Sequence, residues 1–136
     1  MSESERETGS RLDLKFNDQG LVAAIVQDVD TGRILMLGWM NEEALRRTLK
    51  TRKATFFSRS RDKIWVKGES SGHIQKVVEA RIDCDQDAVL LRCRPHGPAC
   101  HVGYETCFYR VVGDGDKLEF VEDCIFDPEK VYQKKE

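Results

Sequence analysis

The segment Ile82-Asp83-Cys84-Asp85-Gln86-Asp87 alternates carboxylates with a thiol and a carboxamide. In an extended strand, alternate side chains point to opposite faces, which puts Asp83, Asp85 and Asp87 on one face and Cys84 on the other. Three adjacent carboxylates repel one another unless a cation neutralises them. Carboxylate oxygen suits a hard ion such as magnesium, whereas thiolate suits a softer one such as zinc. One short stretch can therefore serve two metals. The ordinary reading of an isolated D-x-D-x-D is an acidic, solvated turn. An EF-hand loop fails, because its sixth position would be Ala88 rather than Gly and its twelfth Arg94 rather than Glu.

Cys100 and Cys107 flank a loop containing Gly103, and Cys84 lies on a strand that can pass beside it. Three thiolates with a fourth position open to water would make a catalytic zinc site. The competing reading is three small buried hydrophobes, a common fate of free cysteine. His101 is either a fourth ligand, which would close the site, or a free base that takes a proton from activated water. Neighbours in extended chain diverge, so Cys100 and His101 do not easily reach one ion, and the base is favoured. Three thiolates overcompensate a dication and weaken it as a Lewis acid, so such a site needs a nearby base and a second cation.

A basic cluster runs from Phe57 to His73. Arg59, Arg61 and Lys67 suit phosphate oxygens. Gly68 and Gly72 bracket hydroxyls, including Ser71, in a loop whose amides can cradle an anion. Taken alone, this stretch reads equally well as a basic hairpin turn and a polar loop.

These residues need a scaffold. Leu12–Phe16, Leu21–Val29 and Ile34–Trp39 read as an antiparallel meander, with turns at Asn17–Gly20 and Asp30–Gly32. Asn41 is a good N-cap, and Leu45 and Leu49 share one face, so a helix is expected from Asn41 to about Lys50. Strands are then expected at Thr55–Ser58, Lys63–Val66, Gln75–Ile82, Ala88–Arg94, Cys107–Val112 and Leu118–Val121, the last two joined by the Gly113–Asp116 turn. The expected fold is mainly β (α+β): an antiparallel, barrel-like sheet with one packed helix. Residues 11–122 would form a single domain, Met1–Ser10 a disordered tail, and 123–136 a C-terminal tail in which Val131 and Tyr132 could dock.

The chain has 136 residues, 40% of them hydrophobic, enough for one core that a second copy would enlarge. With 22 basic and 24 acidic residues it lacks the basic excess of a nucleic-acid binder. No apolar stretch is long enough to span a bilayer, and the polar start is no secretory signal. Five cysteines without such a signal point to a reducing, cytoplasmic setting and to metal or chemistry rather than disulfides.

Trp39-Met40-Asn41, Ser58-Arg59-Ser60-Arg61, Trp65 with Lys67-Gly68-Glu69, Ser71-Gly72, Asp83-Cys84-Asp85-Gln86-Asp87, Gly97-Pro98-Ala99-Cys100-His101 and Cys107-Phe108 occur in one order. In that order they resemble the phosphoribosyl-AMP cyclohydrolases of histidine biosynthesis, over roughly Leu12 to Val112. The resemblance implies hydrolysis of the adenine ring of phosphoribosyl-AMP between N1 and C6, which yields the formimino imidazole carboxamide ribotide. It implies zinc on Cys84, Cys100 and Cys107 and magnesium on Asp83, Asp85 and Asp87. It also implies an intertwined homodimer whose zinc ligands come from both chains. His101 would be the base, with Arg59, Arg61, Lys67, Ser71, His73, Trp39 and Asn41 around the substrate. Relatives are often fused to a pyrophosphohydrolase domain; the residues after Lys117 are too few for one, so a monofunctional form is expected. This chain departs from many relatives at Val102 (often Thr), at Thr106 (often Ser) and at Arg52-Lys53 (often Gly). Cys93 and Cys124 match no ligand position.

Three rivals remain. A zinc-stapled binding module would have a closed four-ligand site. A nucleobase deaminase should carry H-x-E and P-C-x-x-C, which are absent. A thiol redox protein should have a close C-x-x-C pair, and there is none.

Overall fold

The computed structural model describes residues 2–126. Strand β1 (Val22–Asp28) alternates buried with half-buried residues, with Val22, Ala24, Val26 and Asp28 inside. It pairs antiparallel with β2 (Ile34–Met40). The Asp28 carboxylate accepts from the amides of Asp30 and Thr31 and so shapes the turn between them.

The predicted helix is α2 (Glu42–Thr51), preceded by a short α1 (Glu3–Thr8). Asn41 caps α2, its side-chain oxygen accepting from Ala44 N at 2.8 Å. Arg52 closes it at φ 63, in the left-handed region. Glycine would adopt that backbone freely, whereas a side chain costs roughly 1 kcal/mol in this conformation. Buried Thr48 joins α2 to the next strand, donating to Ala44 O and accepting from Thr55 N.

Strands β3 (Thr55–Ser58) and β4 (Lys63–Val66) form a hairpin. The Phe56 ring packs so closely on β2 that a Cβ at Gly38 would lie 2.6 Å from it. β5 (Gln75–Ile82) and β6 (Ala88–Pro95) form a second hairpin, and β7 (Arg110–Val112) with β8 (Leu118–Phe120) a third. Leu35, Met40, Phe56, Val89 and Leu91 are fully buried at the centre. No helix among the described residues is long and apolar enough to cross a membrane.

The antiparallel, barrel-like expectation needs correcting. The main sheet runs β2-β1-β6-β5, and β1 pairs with β6 in parallel. Such a pair needs a long crossover, here everything from β2 to β5, and local strand patterns do not reveal it. Among the described residues the sheet does not close, because β3–β4 and β7–β8 pair only within themselves. Among the described residues there are two helices rather than one, and α1 stands where a disordered tail was expected. Arg6 ties that segment down by an ion pair to Asp13 at 3.1 Å. Leu12–Phe16 is not a strand; Lys15 N donates to Gln86 O at 2.7 Å instead of to a neighbouring strand. The strand expected from Cys107 begins at Arg110, because Cys107 N donates to Leu35 O and Phe108 N to the Thr106 hydroxyl. Val131 and Tyr132 lie outside the described residues.

Candidate active site

The acidic segment is a turn and not a strand, yet the turn gathers its carboxylates. Ligand oxygens of Asp83, Asp85 and Asp87 lie within 4.8 Å of one another. The turn closes through Asp83, whose Oδ1 accepts from the amides of Asp87 (2.9 Å) and Ala88 (3.1 Å). Burial works against ionisation of Asp83, but hydrogen bonds from Asp87 and the two amides outweigh it and hold its pKa below the usual carboxylate range. Asp87 bears the cost. Hydrogen bonding and repulsion from Asp83 and Asp85 push its carboxyl up to about 6. Three acidic groups competing for protons in this way are a donor set that a hard cation would relieve.

Asp87 also lines a cleft of about 470 Å³ together with Lys15, Phe16, Trp39 and Ala88. The Arg59 guanidinium lies 4.8 Å from the centre of the Trp39 ring, and Trp39 lines the same cleft as Asp87. Arg61 is exposed in the same β3–β4 turn, its amide donating to Ser58 Oγ. Asn41 follows Met40, the last residue of β2, and its side-chain oxygen is spent on the helix cap.

A second cluster forms around Cys100 and Cys107. The two lie side by side, Cys100 buried and Cys107 exposed as a residue, yet desolvation of its sulfur followed by the neighbouring Cys100 pushes the Cys107 thiol up to about 12. Lys67 is 8% exposed and sits beside both. Burial lowers its pKa, and the two cysteines oppose that shift. His73 is also near Lys67; burial first, then the Lys67 charge, hold its imidazole below the usual range, so it is neutral at pH 7. The His73 ring packs against Gly97, where a Cβ would come within 2.5 Å of it, and its Nδ1 is buried without a hydrogen-bond partner. Two neighbouring thiols beside a buried ammonium form a site that a soft cation would ionise. Exposed His101 sits in the turn after Cys100, where Gly103 N donates to Cys100 O at 3.2 Å.

The structure thus divides the residues grouped by sequence. Arg59 and Arg61 stand at the turn of the β3–β4 hairpin, whereas Lys67 lies past its open end. The loop expected to cradle an anion is largely occupied with itself: Gly72 N donates to Gly68 O, Glu69 N to Val66 O, and His73 N to Ser71 Oγ. Cys84, exposed, follows β5 at one end of the β5–β6 hairpin, and Cys100 lies beyond β6 at the other. Eight strand residues separate those ends, on the order of 20 Å. The three sulfurs therefore do not meet within one chain. Cys93 is buried in β6, and burial alone pushes its thiol up to about 12, as suits a structural thiol.

Sequence reading missed the structural roles of three polar residues. Thr106 is buried and donates to Ile34 O at 2.8 Å, docking the Cys107 segment on β2. Gln86 is buried beneath the aspartate turn. Gln75 is fully buried with neither side-chain polar atom partnered. The signal available was a polar residue on the inward side of an alternating pattern, which only Gln75 shows.

Residues 36–109, more than half the chain, match the family model described as phosphoribosyl-AMP cyclohydrolase. The chain is 53% identical over 136 residues to the phosphoribosyl-AMP cyclohydrolase of Chlorobaculum parvum, covering 99% of each protein. It is 51% identical over 135 residues to that of Chlorobaculum tepidum, covering 98% of each. It is 57% identical over 117 residues to that of Rhizorhabdus wittichii, covering 85% of this chain and 94% of the relative. The chain belongs to the phosphoribosyl-AMP cyclohydrolase family of enzymes.

Proposed function

We propose that this enzyme opens the adenine ring of 1-(5-phosphoribosyl)-AMP between N1 and C6, in the cytoplasm and as a step of histidine biosynthesis. The observation that carries the reading is the placement of two cation-ready donor sets in a chain about half identical to named cyclohydrolases. Cys100 and Cys107 supply two sulfurs for zinc, and Cys84 of a second copy supplies the third. Asp83, Asp85 and Asp87 hold magnesium. Zinc, when bound, supplies the Lewis acidity that makes water nucleophilic at neutral pH, and magnesium supplies positive charge for phosphate oxygens.

His101, exposed beside Cys100, takes the proton from the attacking water and delivers it to N1 as the C6–N1 bond breaks. Lys67 offsets the negative charge of the thiolates. Arg59, held over Trp39, orients a phosphate towards the aspartate cleft, with Arg61 at its rim. Ser71, His73 and Asn41 complete the substrate contacts. An uncovered apolar face supports a homodimer: Phe108, Val112 and Phe120 are 56%, 76% and 63% exposed. Burying such a face is the usual basis of stable association.

The test is incubation of purified protein with phosphoribosyl-AMP while the ultraviolet absorbance of the imidazole product is followed, with and without a chelator. Chelator-sensitive ring opening is expected. Ammonia release in its place would mean a deaminase, and no turnover at all would leave only a metal-stapled fold.

The aspartate set also implies a pH dependence. Asp87 keeps its proton up to about pH 6, so a cation arriving below that pH must displace it. Magnesium affinity should be nearly flat above pH 7 and about tenfold weaker at pH 5, where one proton is released per ion bound. Calorimetric titration at pH 5, 6 and 7 measures this; identical affinities across that range would show that Asp87 is not a ligand.

A further inference from the structure

Gln86 occupies the one position of the aspartate turn with left-handed backbone, φ 59, although it is not glycine. It is 6% exposed, while Asp83 and Asp87 on either side are exposed. A side chain that tolerates this backbone yet is buried must gain something from its contacts. Its carboxamide is fully engaged: Oε1 accepts from Asp13 N at 2.8 Å, and Nε2 donates to Arg6 O at 2.9 Å and Arg11 O at 3.1 Å. Two acceptor carbonyls and one donor amide permit a single orientation of the amide group. The backbone repeats the link, with Lys15 N donating to Gln86 O at 2.7 Å and Gln86 N to Asp83 O at 3.1 Å. The N-terminal segment is braced in turn, because Arg6 holds Asp13 through both Nε to the carbonyl (3.0 Å) and Nη2 to the carboxylate (3.1 Å).

We propose that Gln86 is a positioning residue for the cation site and that residues 6–15 are an arm that clamps it. The arm fixes Gln86, Gln86 fixes the turn, and the turn holds three mutually repelling carboxylates together before any ion arrives. This rests on the reading of Asp83, Asp85 and Asp87 as a divalent-cation site. Without the clamp, repulsion would splay the turn, and ion binding would have to order it again. By reciprocity, an ion that stabilises the turn must also tighten the arm.

Magnesium alone is the probe, titrated calorimetrically into the full chain. Gln86→Ala should weaken binding about tenfold, and Arg6→Ala, which loosens the arm while leaving the Gln86 side chain in place, about threefold. Trypsin cleavage after Arg6 and Arg11 should be slowed by magnesium in the wild type and not in Asp85→Ala. Unchanged affinity in folded Gln86→Ala, with cleavage indifferent to magnesium, would overturn the clamp. Should Gln86→Ala fail to fold, Arg6→Ala decides in its place: unchanged magnesium affinity there overturns the clamp equally. If the wild type binds no magnesium, the cation reading fails by itself. The clamp then stands or falls on amide exchange across Asp83–Ala88, which must accelerate in Arg6→Ala.

Discussion

Co-expressing a Cys84→Ala chain with a Cys107→Ala chain should restore about a quarter of wild-type activity, although each variant expressed alone is at background. The reason is the length of the β5–β6 hairpin. Cys84 follows Ile82 at one end, Cys100 lies five residues past Pro95 at the other, and Cys107 stays with Cys100 because Thr106 and its own amide bind β2. No rotamer change spans on the order of 20 Å, so a three-cysteine zinc site, as proposed, would take its third sulfur from another chain. A two-fold dimer then has two composite sites, each with Cys84 from one chain and Cys100 and Cys107 from its partner. In a mixed dimer one site carries both lesions and the other carries none. Random assembly makes half the dimers mixed, each with one intact site of two. Zinc content should recover in parallel, to about one ion per four chains. Recovery of neither zinc nor activity would mean that the ligands are not shared, and the three-cysteine centre would fall with them. Cys100→Ala gives the companion result: it belongs to the same half-site as Cys107, so pairing those two variants should restore nothing.

The same hairpin shows what could be read from the sequence and what could not. Strands β3, β4 and β5 fall where alternation and turn residues put them, and Asn41 caps α2 as expected, because those signals are local. The parallel β1–β6 pair was not legible, since its partners lie some sixty residues apart and each strand alone looks like half of a hairpin. For the site, residue types survived better than their conformation. Asp83, Asp85 and Asp87 do converge, but through a turn with Gln86 left-handed, not along one strand face. Lys67 read as a phosphate ligand because it follows two arginines, yet it lies beside the two cysteines, beyond the open end of the hairpin that presents those arginines at its turn. Linear proximity misleads across a four-residue strand, whose ends are about 10 Å apart. The structural roles of Gln86 and Thr106 were not legible for the opposite reason: each acts on a segment some seventy residues away.

His101→Ala is expected to lower kcat by about 10²- to 10⁴-fold while leaving zinc content unchanged. The chain direction around Cys100 supports the split. Cys100 is buried with its amide bonded to Tyr104 O, which turns the next residue outward, and His101 is exposed. An imidazole on that side of the turn can meet a water approaching the cluster without being drawn into its ligand set. The rival base is His73, nearer Lys67 and already neutral at pH 7 through burial and that charge. Its buried Nδ1, packed beside Gly97, suits a fixed hydrogen bond to substrate better than a proton relay with solvent. The two roles separate kinetically. His101→Ala should lose kcat with little change in KM and recover part of it in added imidazole, whereas His73→Ala should raise KM and ignore imidazole. Loss of zinc from His101→Ala would instead make it the fourth ligand, closing the position that water must occupy and removing the hydrolytic mechanism with it.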